Sequence, residues 1–362
     1  MRRQLSHILI PAGILLFLLT ACQPSAPARM ALVATTRPGT ATATTPATAM
    51  PASPTPAPSV TPVLPTPTPS AMPSQTPTAS PAPAGPTATP LPTATATPTR
   101  EPMDINGLPL ADFVVLPPEV LTHSRQIFAY GQYLGRDPHH VARLGDSIAA
   151  TSHFLARFDE GGYRLGSYAY LQPAIDQFAG SFSHLGATAR VGLNSWVLFD
   201  PTWADKQLCA PQEDLLACEF RSYNPAILLI MLGTNEPGRY AFEDNLRQII
   251  SVTVSNGVLP VLITKANRIE GEAGGYNDVL RDLAAEYQIP LLDFDRIADT
   301  IPGRGLDQDG VHMITFSQFN YTLDWATYTG YGALNLATLM MLDQLWLHVL
   351  QSNIEYVPDK AN

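Results

Sequence analysis

Cysteine is scarce: three residues in 362, and only Cys209 and Cys218 lie beyond position 22. That count rules out a small scaffold built on disulfides. No histidine lies close to either cysteine, and nowhere do His and Cys cluster at ligand spacing, so neither a metal nor a cofactor is expected. Two cysteines so close together in an exported chain read instead as one local disulfide. Positive charge is also short. Lysine and arginine total 21 against 31 acidic residues, a formal net charge of −10. Five of those 21 and one of those 31 precede residue 103, which leaves 16 basic and 30 acidic side chains, or −14, for the remainder. A domain of that sign repels polyanions, so nucleic acid is excluded as a partner. Internal repeats are absent as well.

The first hundred residues lack apolar periodicity. Met1-Arg2-Arg3, an apolar stretch from Ile8 to Leu19, and Leu19-Thr20-Ala21-Cys22 follow one another. This is the order of a secretory signal, too short for a stable membrane span. A cysteine directly after small residues resembles the lipobox of bacterial lipoproteins. The resemblance implies cleavage before Cys22, with lipid on its sulfur and on the new amino group. An ordinary signal peptide with an incidental cysteine is the alternative. From Gln23 to about Pro102 the chain is almost entirely Pro, Thr, Ala and Ser. It cannot offset the entropy of ordering, and its Pro-Thr-Pro units favour a semi-rigid extended spacer of up to about 250 Å. Its Thr and Ser residues are also potential O-glycosylation sites. The expected organisation is therefore a signal peptide at 1–21, a lipidated cysteine and disordered tether at 22–102, and a folded domain at 103–362. The location that follows is extracytoplasmic, on the cell envelope of a bacterium, with the lipid as the only membrane contact.

Within the domain, apolar runs alternate with helical patterns. A helix opens at Pro117-Pro118. Short strands are expected at His140–Leu144, Ala187–Val191, Ala226–Leu232, Val258–Thr264 and Ile289–Phe294. Helices are expected at Phe242–Val254, Tyr276–Tyr287 and Ala333–Leu350. This alternation predicts an α/β fold, a three-layer α/β/α arrangement around a parallel sheet of about five strands.

The polar loops after the strands carry the chemistry. Ser147 follows the first strand within Gly145-Asp146-Ser147, Gly192 the second, and Asn235 the third within Gly233-Thr234-Asn235. Asp309-Gly310-Val311-His312 comes after the last. Taken singly these residues are ordinary: Ser147 as a helix cap, Asn235 and Asp309-Gly310 as turns. His139, His140, His153 and His184 read as solvent-facing or packing residues, and Asp146 as a structural carboxylate. Four blocks in this order resemble the SGNH (GDSL-type) hydrolases over most of the domain. The resemblance implies a flavodoxin-like fold and a serine esterase with Ser147, His312 and Asp309 as catalytic triad. It further implies an oxyanion hole from the amides of Ser147 and Gly192 and the side chain of Asn235. Asp307 is a second candidate for orienting the histidine, at a spacing that departs from the family pattern. Gly145-Asp146-Ser147-Ile148-Ala149 also approaches the nucleophile elbow of α/β-hydrolases, but there the acid and histidine sit on separate loops.

Two stretches depart from the family pattern. Residues 313–329, with Phe316, Phe319, Tyr321, Trp325 and Tyr328, are expected either to rim the site or merely to pad the domain. Residues 200–223 are expected to be a loop that forms another border of the site, stiffened by the Cys209–Cys218 disulfide. The expected substrates are small-molecule or glycan esters, with O-acyl groups on carbohydrate foremost. Acyl transfer through the same site, or a surface binding module with a vestigial triad, are the alternatives.

Overall fold

The computed structural model describes residues 100–271 and 275–357. The expected signal peptide, Cys22 and nearly all of the tether lie outside the described residues. Two short strands, β1 (Asp104–Ile105) and β2 (Leu108–Pro109), form a hairpin of their own. The main sheet holds β3 (Val114–Val115), β4 (Asp137–Gly145), β5 (Pro225–Met231), β6 (Leu259–Ile263) and β7 (Leu291–Leu292), in the order β3-β7-β6-β5-β4. β4 to β7 run parallel, with Val141 opposite Ile227 and Ile227 opposite Leu259. Every residue of β5 and β6 is buried, as an apolar run without alternation requires when both faces of a sheet are covered.

Two details of the sheet differ from the sequence reading. The stretch 187–191 makes only one parallel bridge, Ala189 to Gly145, rather than a strand. Side chains compete for its backbone partners: the Glu219 carboxylate accepts from Ala187 N at 2.6 Å, and Thr188 Oγ1 donates to the Arg143 carbonyl at 2.6 Å. The fifth place is taken by β3, which joins β7 antiparallel. Two residues are too few to show a period in sequence.

Helix α1 (Pro118–Tyr133) begins with proline at its first position, where a missing N–H costs nothing. The segment between β4 and β5 holds short helices only: α2 (Arg157–Glu160), α3 (Gln172–Gln177) and α4 (Leu215–Ser222). Helix α4 corrects the expectation of a loop over 200–223. Asp214 caps it by accepting from Ala217 N, and the Cys209–Cys218 disulfide joins it to the preceding turn. After β5 come α5 (Arg239–Ser255), α6 (Tyr276–Glu286), α7 (Phe294–Ala298) and α8 (Gly330–Leu345), the last extended by a π turn to Leu350. α5 packs on α6 and β6, whereas α8 packs on α3, α7 and β3 and its extension on α1. Helices therefore cover both faces of the sheet, in three layers. Gly330–Leu350 has the length and apolarity of a membrane span, but within α8 every residue except Gln344 is buried in the domain.

Candidate active site

β4 ends at Gly145, where the backbone passes so close to β5 that a Cβ would stand 2.5 Å from the Met231 carbonyl oxygen and 2.7 Å from the Ala149 methyl. Only glycine fits, and the chain turns there. Asp146, buried, accepts from Ile148 N at 3.0 Å, while its carbonyl takes Ala149 N and Ala150 N. This tight turn leaves Ser147 partly exposed at the carboxyl end of the sheet, the edge at which open α/β sheets hold their ligands. No helix follows for the serine to cap; the next one, α2, starts at Arg157.

Ser147 Oγ lies 2.9 Å from His312 Nε2, and His312 Nδ1 lies 2.6 Å from Asp309 Oδ2. The carboxylate thus fixes the proton on Nδ1 and leaves Nε2 as acceptor for the serine hydroxyl. Asp309 Oδ1 is held in turn by Val311 N and His312 N, both at 2.9 Å. The bond to His312 and these two amides lower its carboxyl to about 2. Asp307 turns its carboxylate to Gln308 N instead, while its own amide donates to the His312 carbonyl. Asp309 and His312 are half exposed, so the site is an open one.

Gly192 has a left-handed backbone, φ +76°, with open space where a Cβ would be. Conformation rather than crowding from this protein calls for glycine here. Its loop is bound beside the serine turn, Gly145 N donating to Thr188 O and Arg190 N to Gly145 O. The Asn235 amide donates to Leu193 O at 3.2 Å and to Asp146 Oδ2 at 3.3 Å, which draws the loops after β4 and β5 and the Gly192 turn together. Both bonds are long, so an oxyanion placed there competes for weakly held donors.

Several residues that support the site carry no signal in sequence. Glu236, next to Asn235, accepts from Ser195 N at 2.8 Å and from Ser195 Oγ at 2.7 Å; Asn245 Nδ2 donates to the same hydroxyl. Burial raises the Glu236 carboxyl, with the Ser195 bonds opposing. Behind Gly233, the buried Lys265 ammonium donates to both Glu270 oxygens and to Asn267. The guanidinium of Arg143, buried in β4, donates to the carbonyls of Ala149, Phe154, Phe182 and His184 and so pins the segment after Ser147. Desolvation lowers its pKa to about 10.

The stretch 313–329 divides. Phe316, Phe319 and Tyr321 are buried, and the backbone of Phe319 and Tyr321 pairs with Arg164. Those three rings pad the core, whereas the rings of Trp325 and Tyr328 are exposed. His184 and His140 both stack on the Tyr223 ring, at centroid distances of 3.4 and 4.3 Å, as packing residues. Among the described residues no group of three or more His, Cys, Asp or Glu is arranged to hold a metal ion.

No protein-family model matches the chain, and no curated protein matches it in sequence. Solved structures do. A catalytic mutant of an acetylxylan esterase from Geobacillus stearothermophilus is similar at 15% identity, over 56% of this chain and 93% of that one, with a TM-score of 0.35. A two-domain esterase active on acetylated mannans is similar at 15% identity and a TM-score of 0.36; the match spans 65% of this chain and only 57% of the esterase. A putative lipolytic protein of the G-D-S-L family from Desulfitobacterium hafniense shows 16% identity over 56% of this chain and 99% of its own, at a TM-score of 0.33.

Proposed function

We propose that the chain is a serine acyl hydrolase of the SGNH type, anchored outside the bacterial cytoplasm through Cys22, that removes O-acyl groups from carbohydrate. The observation that carries the reading is the continuous relay from Ser147 Oγ to His312 Nε2 at 2.9 Å and from His312 Nδ1 to Asp309 Oδ2 at 2.6 Å. Ser147 Oγ attacks the ester carbonyl while Nε2 takes the hydroxyl proton. The tetrahedral oxyanion rests on the amides of Ser147 and Gly192 and the Asn235 side chain. Collapse expels the sugar alcohol, which receives the proton from Nε2, and leaves an acyl-serine. Water, deprotonated by the same nitrogen, releases the carboxylic acid and restores the serine. Asp309 keeps its charge throughout and stabilises the imidazolium.

A half-exposed dyad suits an ester displayed on a bulky substrate, and the tether places the domain where envelope or environmental glycans are. A fluorophosphonate probe is expected to label Ser147 in the full-length chain, and Ser147→Ala to abolish both labelling and hydrolysis of p-nitrophenyl acetate. A wild-type chain that neither labels nor hydrolyses would make the site a vestige in a binding module. The bond to His312 and the two backbone amides hold the Asp309 carboxyl low, so it keeps its charge beside the imidazole. His312→Ala is expected to abolish hydrolysis of p-nitrophenyl acetate, and an unchanged rate would remove His312 as the base.

A further inference from the structure

A cleft of about 540 Å³ opens between residues 186–190 and 202–208, beside the turn that bridges to the end of β4. The steps at Ser147 make no use of it. Its upper end adjoins the site: Ala189 bridges to Gly145 and Arg190 N donates to the Gly145 carbonyl at 3.0 Å. That is one strand spacing, about 4.8 Å, from the strand that leads into Ser147. Gly192 follows two residues later on the same turn.

The walls have a definite chemistry. Trp203 and Leu208 line the cleft and are 42% and 56% exposed. Trp196, 49% exposed, stands on the loop just beyond Gly192 and meets Trp203 edge to face at 5.9 Å. An aromatic corner therefore runs from the oxyanion loop into the cleft. Arg190 Nη1 donates to the Trp203 carbonyl at 2.7 Å, and its guanidinium lies 5.7 Å from the centre of the Trp203 ring. The one other charged residue of the lining is Asp205, so the two signs balance.

An exposed indole beside a guanidinium, a carboxylate and the Thr202 side chain suits a ligand that has one flat C–H face and a rim of hydroxyls. A pyranose ring is such a ligand. A fatty acyl chain would desolvate both charges without replacing their hydrogen bonds. A uronate would meet a carboxylate together with the guanidinium. The volume lies within the range of small-ligand sites. We propose that this cleft is a subsite for neutral pyranose units of the acylated glycan, with Trp203 as the stacking platform. Chain seated here brings an ester on a neighbouring unit to Ser147. The inference rests on the ester-hydrolase reading of that serine.

The test compares substrates on the full-length chain. Trp203→Ala is expected to lower kcat/KM on acetylated xylo-oligosaccharide or manno-oligosaccharide about tenfold more than on p-nitrophenyl acetate. Trp203→Phe, which keeps a flat ring, should recover most of that difference. Leu208→Trp, an exposed change that narrows the cleft without touching the core, should reproduce it if Trp203→Ala fails to fold. In a Ser147→Ala background, calorimetric titration with unacetylated xylohexaose and mannohexaose should show binding to at least one, weakened about tenfold by Trp203→Ala. Equal losses on all substrates, unchanged oligosaccharide binding, or a selective loss on a long-chain p-nitrophenyl ester would each overturn the subsite. Should the wild type hydrolyse no ester at all, the reading of Ser147 fails, whereas oligosaccharide binding lost with Trp203 would still stand.

Discussion

Asn235 is placed by its neighbours more than by its own backbone, since its amide is shared between Leu193 O and Asp146 Oδ2. The turn that carries Gly192 is fastened one step further along, where Glu236 holds both the amide and the hydroxyl of Ser195. Such a clamp acts on the transition state alone if it sets where the oxyanion donors stand. Glu236→Ala should therefore lower kcat about tenfold or more with KM nearly unchanged, and Glu236→Gln, which can still accept from Ser195 N, should keep most of the rate. Steady-state kinetics on p-nitrophenyl acetate checks this, and a matched rise in KM would assign the residue to general packing. The sequence could propose Ser147, Gly192, Asn235, Asp309 and His312 together because each is of a reactive or turn-forming type in a polar segment and the four blocks fall in one family's order. The clamp was not. Ser195 is separated from Glu236 by 41 residues and Asn245 by 50 from Ser195, with no motif to join them.

Long apolar elements were read correctly, as was the short β7 within 289–294, but other short elements were not. β5, α6 and α8 each present an unbroken run or a helical stripe, and burial of such surface dominates the choice of conformation. The stretch 187–191 has strand-like composition, yet Glu219 and Thr188 occupy the hydrogen bonds a ladder would need. α4 begins at an Asp214 cap inside a stretch that looked irregular, and β3 is two residues long. Between elements, one close approach is critical. A Cβ on Gly131 of α1 would lie 2.1 Å from the Gly257 carbonyl oxygen in the turn before β6. Alanine has the higher helix propensity, but the clash must move the helix or the turn. Gly131→Ala is thus expected to destabilise the domain by about 1–3 kcal/mol, read as a lower urea midpoint at constant m-value. An unchanged midpoint would mean that the two backbones part freely.

At the scale of the whole chain, the proposal joins a lipid anchor, a long Pro/Thr-rich tether and an acidic hydrolase domain. Cys22→Ala should move the protein from the membrane fraction to the soluble extracytoplasmic fraction and abolish incorporation of labelled palmitate, while hydrolysis of p-nitrophenyl acetate persists. Retention in the membrane after that change would remove the cysteine as anchor. The expected boundary between tether and domain rests on composition alone, because a stretch without apolar periodicity has nothing to bury. Period and residue type likewise determined the α/β class, the buried strands and the order of the reactive loops, all of which depend on local pattern. Tertiary structure alone decided that Ser147 meets His312 across 165 residues, that Phe316, Phe319 and Tyr321 enter the core with Arg164 paired to Phe319 and Tyr321, and that Glu236 closes on Ser195. Those outcomes depend on contacts between residues far apart in the chain, where packing and hydrogen-bond competition, rather than spacing, select the partner.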